Sequence, residues 1–132
     1  MPLRLLLDPR VRRGLFLLWW ALWACVGYLS LTPIRLPPGT SDKLLHFTGY
    51  ALMSAAAVGF CHTRHRLALW AALATAFGGG IEIAQAFIPY RSCELLDFVA
   101  DAAGAALGCL TAQLWLLLVI RPLRRRAGPA EA

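Results

Sequence analysis

Nine polar residues of this mostly apolar chain fall within or beside its hydrophobic segments, near the segment ends. Ionisable groups at membrane depth are costly, so they usually mark functional positions. Carboxylates beside a histidine suit proton transfer or general acid–base chemistry, whereas arginine and lysine suit the capture of a phosphate or carboxylate. The candidates for a functional cluster are Asp42, Lys43, His46, Tyr50, Glu82, Gln85, Arg91, Asp97 and Asp101.

Most of these residues recur every three or four positions, the spacing that keeps side chains on one face of a helix. The stripes are Asp42, His46 and Tyr50; Glu82 and Gln85; and Asp97 and Asp101. If three helices cross a membrane in alternating directions, these stripes meet at one end of the bundle. A contact in a hydrogen-bond network that only stabilises the bundle contributes about 0.6 kcal/mol on average. Burying a charge in a membrane costs several times as much, so a purely structural network would not use so many charged residues. We therefore expect one functional cluster.

Four apolar segments must position this cluster. The 132-residue chain is 59% hydrophobic and only 15% charged. Segments 15–31, 44–60, 67–88 and 98–120 approach or reach the roughly 20 residues that cross a hydrocarbon core. All eight prolines lie outside them, as uninterrupted helices require. We predict an all-α membrane protein with four transmembrane helices in an antiparallel bundle.

The basic residues predict how the bundle is oriented. Ten of the thirteen lysines and arginines precede the first segment, lie between the second and third, or follow the fourth. The other three are Arg35, Lys43 and Arg91. Because short positive loops stay in the cytoplasm, we expect both termini inside and the polar cluster at the outer face. The same alternation identifies the +6 charge as a topology signal and argues against nucleic acid as a partner.

These patterns divide the chain into three parts. Residues 1–14 are expected to form a basic cytoplasmic leader, 15–120 the transmembrane domain, and 121–132 a basic cytoplasmic tail that is disordered from residue 124 onward. Ser41 is a candidate N-cap for the second helix, and the turn at 61–66 should join helices two and three as an antiparallel hairpin. Small residues at 78–80 and at Gly104 and Gly108 are expected to let helices three and four approach closely.

The sequence gives little support for a metal or another cofactor. His46 with its neighbouring carboxylates has donors for a metal, but one histidine without a metal-binding spacing predicts none. The four cysteines are scattered and show neither disulfide nor zinc spacing. We expect no cofactor.

Three motif blocks, in order, resemble the VanZ-like family, and they run from residue 42 to 108. They are DKLLHF with Tyr50, EIAQAF with Pro89 and Arg91, and Asp97 to Asp101 with Gly104 and Gly108. The family's last block commonly carries asparagine where Asp101 stands. This difference adds a charge to the site.

The resemblance implies a small multi-pass protein of the bacterial cytoplasmic membrane. The family's namesake is associated with low-level teicoplanin resistance, so we expect an outer-facing pocket that engages a membrane lipid or lipid-linked cell-wall precursor. Two alternatives stay open: an intramembrane hydrolase or transferase using His46, and a small proton-coupled transporter using Glu82. The sequence therefore does not decide whether the protein is an enzyme. Four short helices offer little interior, which leaves a homodimer open.

Overall fold

The computed structural model describes residues 8–33 and 37–127, and in these ranges it contains helices and no strand. The predicted all-α architecture is confirmed there. Residues 1–7 of the leader, Arg35, and residues 128–132 of the tail lie outside the described residues. The α-helices are α1 (Pro9–Leu31), α2 (Asp42–Ala56), α3 (Arg64–Gln85), α4 (Leu95–Trp115) and α5 (Arg121–Ala127).

Among the described residues, three helical stretches are long and apolar enough to cross a membrane. They are Pro9–Leu31, Arg64–Gln85 and Leu95–Arg125. The helix α2 has 15 residues, or about 22 Å at 1.5 Å per residue, against a hydrocarbon core of about 30 Å. A 3₁₀ turn, Ala57–Gly59, lengthens it slightly. The structure thus supports three spans, and a fourth formed by α2 stays a prediction.

Polar side chains define where the helices begin. Ser41 Oγ accepts a hydrogen bond from the Leu44 backbone N–H at 3.3 Å, which confirms the predicted cap of α2. Asp8 caps α1 in the same way, through the Arg10 N–H at 2.7 Å. Pro9 follows at the first helical position, where its missing N–H costs nothing. As a result α1 begins within the predicted leader, ahead of residue 15.

An aromatic cluster attaches α1 to the rest of the bundle. The indole N–H of Trp19 donates to the Met53 carbonyl at 2.9 Å. Its ring packs edge-on against Phe60 and Trp70, with centroids 5.6 and 5.0 Å away. Trp23 packs in the same way on Tyr50 at 5.1 Å. These contacts set the distance between α1 and the polar residues of α2.

The helices α2 and α4 lie backbone against backbone. A Cβ atom at Gly104 would overlap the Phe47 carbonyl oxygen, and one at Gly108 would overlap that of Ala51. Both pairs advance in the same direction along the chain, so α2 and α4 are parallel. The expectation that these two glycines join helices three and four was wrong about the partner. Small residues mark the face that permits close approach, but they do not identify the neighbouring helix.

The chain is helical over Arg121–Ala127. The prediction of disorder from residue 124 onward was therefore wrong for residues 124–127. A π-helical turn, Leu116–Ile120, joins α4 to α5, in which Pro122 is the second residue. Proline lacks an N–H and clashes with the preceding turn of a regular α-helix. A wider turn relieves that conflict. Pro122 therefore alters the helix without ending it.

Candidate functional site

The start of α2, the end of α3 and the start of α4 meet at one end of the bundle. At their centre, His46 Nδ1 lies 2.9 Å from Asp101 Oδ1. The other ring nitrogen, Nε2, lies 3.9 Å from Asp42 Oδ1. Asp101 is only 1% exposed, and a buried carboxylate needs a hydrogen-bonding or positive partner. The imidazole is that partner, and it also reaches the more exposed Asp42.

Gly78 of α3 lets Tyr50 and Asp101 lie close together. A Cβ atom at this position would lie 2.9 Å from the Tyr50 hydroxyl oxygen and 2.5 Å from Asp101 Oδ2. Tyr50 is 4% exposed, so its hydroxyl is placed beside the carboxylate inside the protein. The sequence identified Gly78 as a small residue for helix contact. Only the fold relates it to these two side chains.

Glu82 connects the end of α3 to the start of α4. Its Oε2 accepts a hydrogen bond from the backbone N–H of Glu94 at 2.9 Å, and Glu94 is the N-cap residue of α4. Glu82 is 4% exposed. Its second oxygen, Oε1, is buried without a hydrogen-bond partner among the described residues. This carboxylate is therefore half satisfied.

Lys43 pairs with two carboxylates at the outer edge of the site. Its Nζ lies 2.8 Å from Glu94 Oε2 and 3.0 Å from Asp97 Oδ1. Asp97 is buried, whereas Lys43 and Glu94 are partly exposed. The hydrogen bond from the ammonium lowers the pKa of Glu94. Glu94 was not among the residues predicted from the sequence, although it stands three residues before Asp97 at the start of a helix.

Gln85 and Arg91 contact the end of α1. The last four carbonyl groups of a helix have no partner within it. Gln85 Nε2 donates to the Ser30 carbonyl at 3.0 Å. Arg91 Nη2 donates to the carbonyls of Leu29 at 3.2 Å and Thr32 at 2.6 Å. Both side chains therefore help to cap α1, a role that the sequence did not predict.

Tyr90 completes this cap, since its hydroxyl donates to the Leu31 carbonyl at 3.0 Å. We expect Arg91→Ala to lower the free energy of unfolding by about 1.5 kcal/mol, because two carbonyls lose a charged donor. Tyr90→Phe, which removes one exposed neutral donor, should cost less than about 1 kcal/mol. Thermal unfolding in detergent, followed by circular dichroism, checks both values. An Arg91→Ala protein as stable as wild type would contradict the capping role.

A cavity of about 430 Å³ opens beside the polar residues, between α1, α2 and the end of α3. Its apolar wall comes mainly from α1 and α2. Its polar lining includes His46 of the central pair and Arg91 of the cap. The lining residues are Trp23, Val26, Leu29, Ser30, Asp42, Leu45, His46, Gly49, Tyr50, Met53, Gln85 and Arg91.

The nine predicted residues thus occupy one end of the bundle, where they have three different structural roles. His46, Asp101, Glu82 and Tyr50 form the buried centre, with Asp42 at its rim. Lys43 and Asp97 form the ion pair, and Gln85 and Arg91 cap α1.

Two sets of side chains place possible metal-ligating atoms within 4.8 Å of one another. They are Asp42, His46 and Asp97, and His46, Glu82 and Asp101.

The amino-acid sequence of the chain matches a known protein family. The protein-family model described as VanZ/LLP1 matches residues 8–118. An uncharacterised protein of Schizosaccharomyces pombe is 30% identical over 103 residues, which cover 76% of this chain and 63% of that protein. The chain therefore spans less than two thirds of the length of this curated relative. No solved structure matches the present chain.

Proposed function

Because the chain belongs to the VanZ/LLP1 family, we propose that it is a multi-pass membrane protein that binds an amphiphilic ligand in its cavity. The ligand is a membrane lipid or a lipid-linked envelope precursor. Its acyl or prenyl chain lies along the apolar wall, and its polar head lies between His46 and Arg91.

The observation that carries this proposal is the composition of the cavity lining. Trp23, Val26 and Met53 supply apolar surface, while His46 and Arg91 supply charge or hydrogen bonds. Binding sites of this size are mostly apolar, with a few polar groups that orient the ligand. A ligand that fits such a lining has one apolar part and one polar part, as a lipid does.

Arg91 supports an anionic head group. Its Nη2 is occupied by the end of α1, but its Nε is buried without a hydrogen-bond partner among the described residues. A guanidinium offers five donors, so one side chain can cap a helix and still contact a phosphate or carboxylate. The remaining N–H makes phosphate the head group that we favour.

The membrane arrangement belongs to the same proposal. We infer four spans, with α2 as a short span beside α4, both termini in the cytoplasm and the cavity at the outer face. The loop charges support this orientation, since ten of thirteen basic residues fall on one side. For a bacterial host, the proposed location is the cytoplasmic membrane, where occupation of the site by an envelope lipid would lower teicoplanin susceptibility.

The fission-yeast relative bears on the choice of ligand. Yeast builds no peptidoglycan, so a ligand common to both proteins is a membrane lipid and not a cell-wall precursor. We therefore place lipid binding first and treat altered glycopeptide susceptibility as its consequence in suitable hosts.

A second candidate function, hydrolysis or group transfer on a lipid-linked substrate, draws on the His46–Asp101 pair. A carboxylate at 2.9 Å orients the imidazole and stabilises its protonated form, which is the arrangement of a general base. The base would accept a proton from water or from a substrate hydroxyl. Turnover of a labelled phospholipid that stops in His46→Gln would favour this candidate over a binder.

Filling the cavity tests lipid binding directly. A Cβ atom at Gly49 meets nothing within 4 Å, and Gly49 lines the cavity, so Gly49→Leu should occupy ligand space without straining the fold. Gly80 of α3 is equally open but lies outside the lining, which makes Gly80→Leu the matched control. We expect native mass spectrometry to find lipid retained by wild type and Gly80→Leu, and at least tenfold less on Gly49→Leu.

Two results would contradict the proposal. One is equal lipid retention in Gly49→Leu and Gly80→Leu, which would place the lipid on the general apolar surface. The other is a wild-type protein that retains no lipid after extraction in mild detergent and addition of anionic phospholipid.

A further inference from the structure

His46, Glu82 and Asp101 come from three different helices, yet each offers a ligand atom within 4.8 Å of the other two. His46 lies near the start of α2, Glu82 near the end of α3 and Asp101 near the start of α4. No segment of the sequence contains more than one of them. This convergence is a product of the tertiary structure.

The unpartnered oxygen of Glu82 is a second, independent observation at this place. Glu82 is 4% exposed, and its Oε1 has no hydrogen-bond partner among the described residues. A buried polar atom without a partner costs about 1–3 kcal/mol, and more if it is charged. A bound cation beside Oε1 would remove this cost.

Among the residues that the structure describes, the two cations nearest this centre make their polar contacts with other groups. Lys43 Nζ contacts Glu94 and Asp97. Arg91 points its Nη2 at the carbonyls of α1. Within ranges 8–33 and 37–127, the side chain that can carry a positive charge next to these two buried carboxylates is therefore the His46 imidazole. Asp42 at the rim adds further negative charge, since its Oδ1 lies 3.9 Å from His46 Nε2.

We propose that His46, Glu82 and Asp101 bind a divalent transition-metal ion. The 2.9 Å between His46 Nδ1 and Asp101 Oδ1 is close to the spacing of two cis ligands on one ion, which is about 3 Å for bonds of about 2.1 Å at right angles. The ion takes the place of the proton shared by these two atoms. It also gives Glu82 Oε1 a partner.

The donor set indicates the class of metal. One imidazole with two carboxylates suits Mn²⁺, Fe²⁺ or Zn²⁺ better than Ca²⁺ or Mg²⁺, which prefer oxygen ligands alone. Three protein ligands leave coordination positions open, as in catalytic sites. Since His46 also lines the cavity, an open position there would be available to a phosphate head group. The site itself does not depend on the proposed lipid function.

Manganese binding provides the test, because Mn²⁺ prefers oxygen and imidazole ligands and avoids the cysteines. The full chain, stripped with EDTA and held in a neutral maltoside detergent, is titrated with Mn²⁺ while free Mn²⁺ is counted by electron paramagnetic resonance. We expect one bound ion per chain that Zn²⁺ displaces. Glu82→Gln should weaken binding at least tenfold, because a ligating charge is lost.

Two further variants keep this result interpretable. Asp101→Asn retains the shape and an oxygen that accepts from His46, so it should fold and bind Mn²⁺ at least tenfold more weakly. His62→Ala with His65→Ala removes the histidines of the loop and helix start at the opposite end of the bundle, and it should bind like wild type. Circular dichroism verifies that each variant is folded.

The proposal is overturned if wild type binds no Mn²⁺, or if Glu82→Gln and Asp101→Asn bind it as tightly as wild type. Lipid retention measured with and without EDTA separates this proposal from the previous one. Wild type that binds Mn²⁺ but retains no lipid would support the metal site and refute the lipid site. Wild type that retains lipid but binds no Mn²⁺ would support the lipid site and refute the metal site.

Discussion

Gly108→Ala is expected to lower the free energy of unfolding by about 3 kcal/mol, although it adds a single methyl group. The added Cβ would overlap the Ala51 carbonyl oxygen and approach Ser54 and Ala55 of α2. Backbone atoms cannot rotate away as a flexible side chain can, so α2 and α4 must separate. Overpacking at a well-packed contact costs about 1–3 kcal/mol or more, and here it acts on the helix pair that holds His46 beside Asp101.

Gly80→Ala is the matched control for this experiment, because a Cβ at Gly80 meets nothing within 4 Å. Alanine favours a helix over glycine by about 1 kcal/mol, so this variant should be at least as stable as wild type. Thermal unfolding in detergent, followed by circular dichroism, compares the two. If Gly108→Ala and Gly80→Ala unfold at the same temperature, α2 and α4 are not in backbone contact.

His46→Ala is expected to cost about 3 kcal/mol in metal-free buffer. Asp101 is 1% exposed and Glu82 is 4% exposed, and the change removes the imidazole that pairs with Asp101. Removing one member of a buried pair leaves an uncompensated charge, which usually costs about 3–5 kcal/mol. We take the low end because the His46 side chain is itself 16% exposed.

A double-mutant cycle separates this charge effect from lost contacts. Asp101→Asn alone should be mild, since an amide oxygen still accepts from His46 and the VanZ-like resemblance places asparagine there. His46→Ala combined with Asp101→Asn should regain at least about 1 kcal/mol relative to His46→Ala, because the unpaired charge is gone. Additive effects of the two changes would mean that the 2.9 Å contact contributes no coupling in solution.

The site combines the capping of α1 with a buried cluster of carboxylates beside a cavity. Gln85, Tyr90 and Arg91 satisfy carbonyls at the end of α1, which have no partner within that helix. The same end of the bundle holds the buried carboxylates beside a cavity. Variants of Arg91 therefore report on stability and on ligand binding together, whereas Gly49→Leu reports on the cavity alone.

The sequence by itself determined the helical architecture and the end of the bundle where the polar residues lie. Periodicity is a local property, so the stripe of Asp42, His46 and Tyr50 could be placed on one helix face before any fold was known. The cap at Ser41 was equally local. Family membership followed from short motifs, whose order along the chain is also written in the sequence.

Only the tertiary structure decided which of these groups touch. Gly104 and Gly108 marked a face for close approach, but which neighbour filled it depended on how all the helices packed. The cap of α1 by Gln85 and Arg91, and the half-satisfied Glu82, likewise depend on atoms from distant segments. Hydrogen bonds and ion pairs require atoms to lie about 3 Å apart. Sequence spacing predicts the relative positions of side chains this precisely within one helix. It does not predict them between helices, whose relative positions depend on packing.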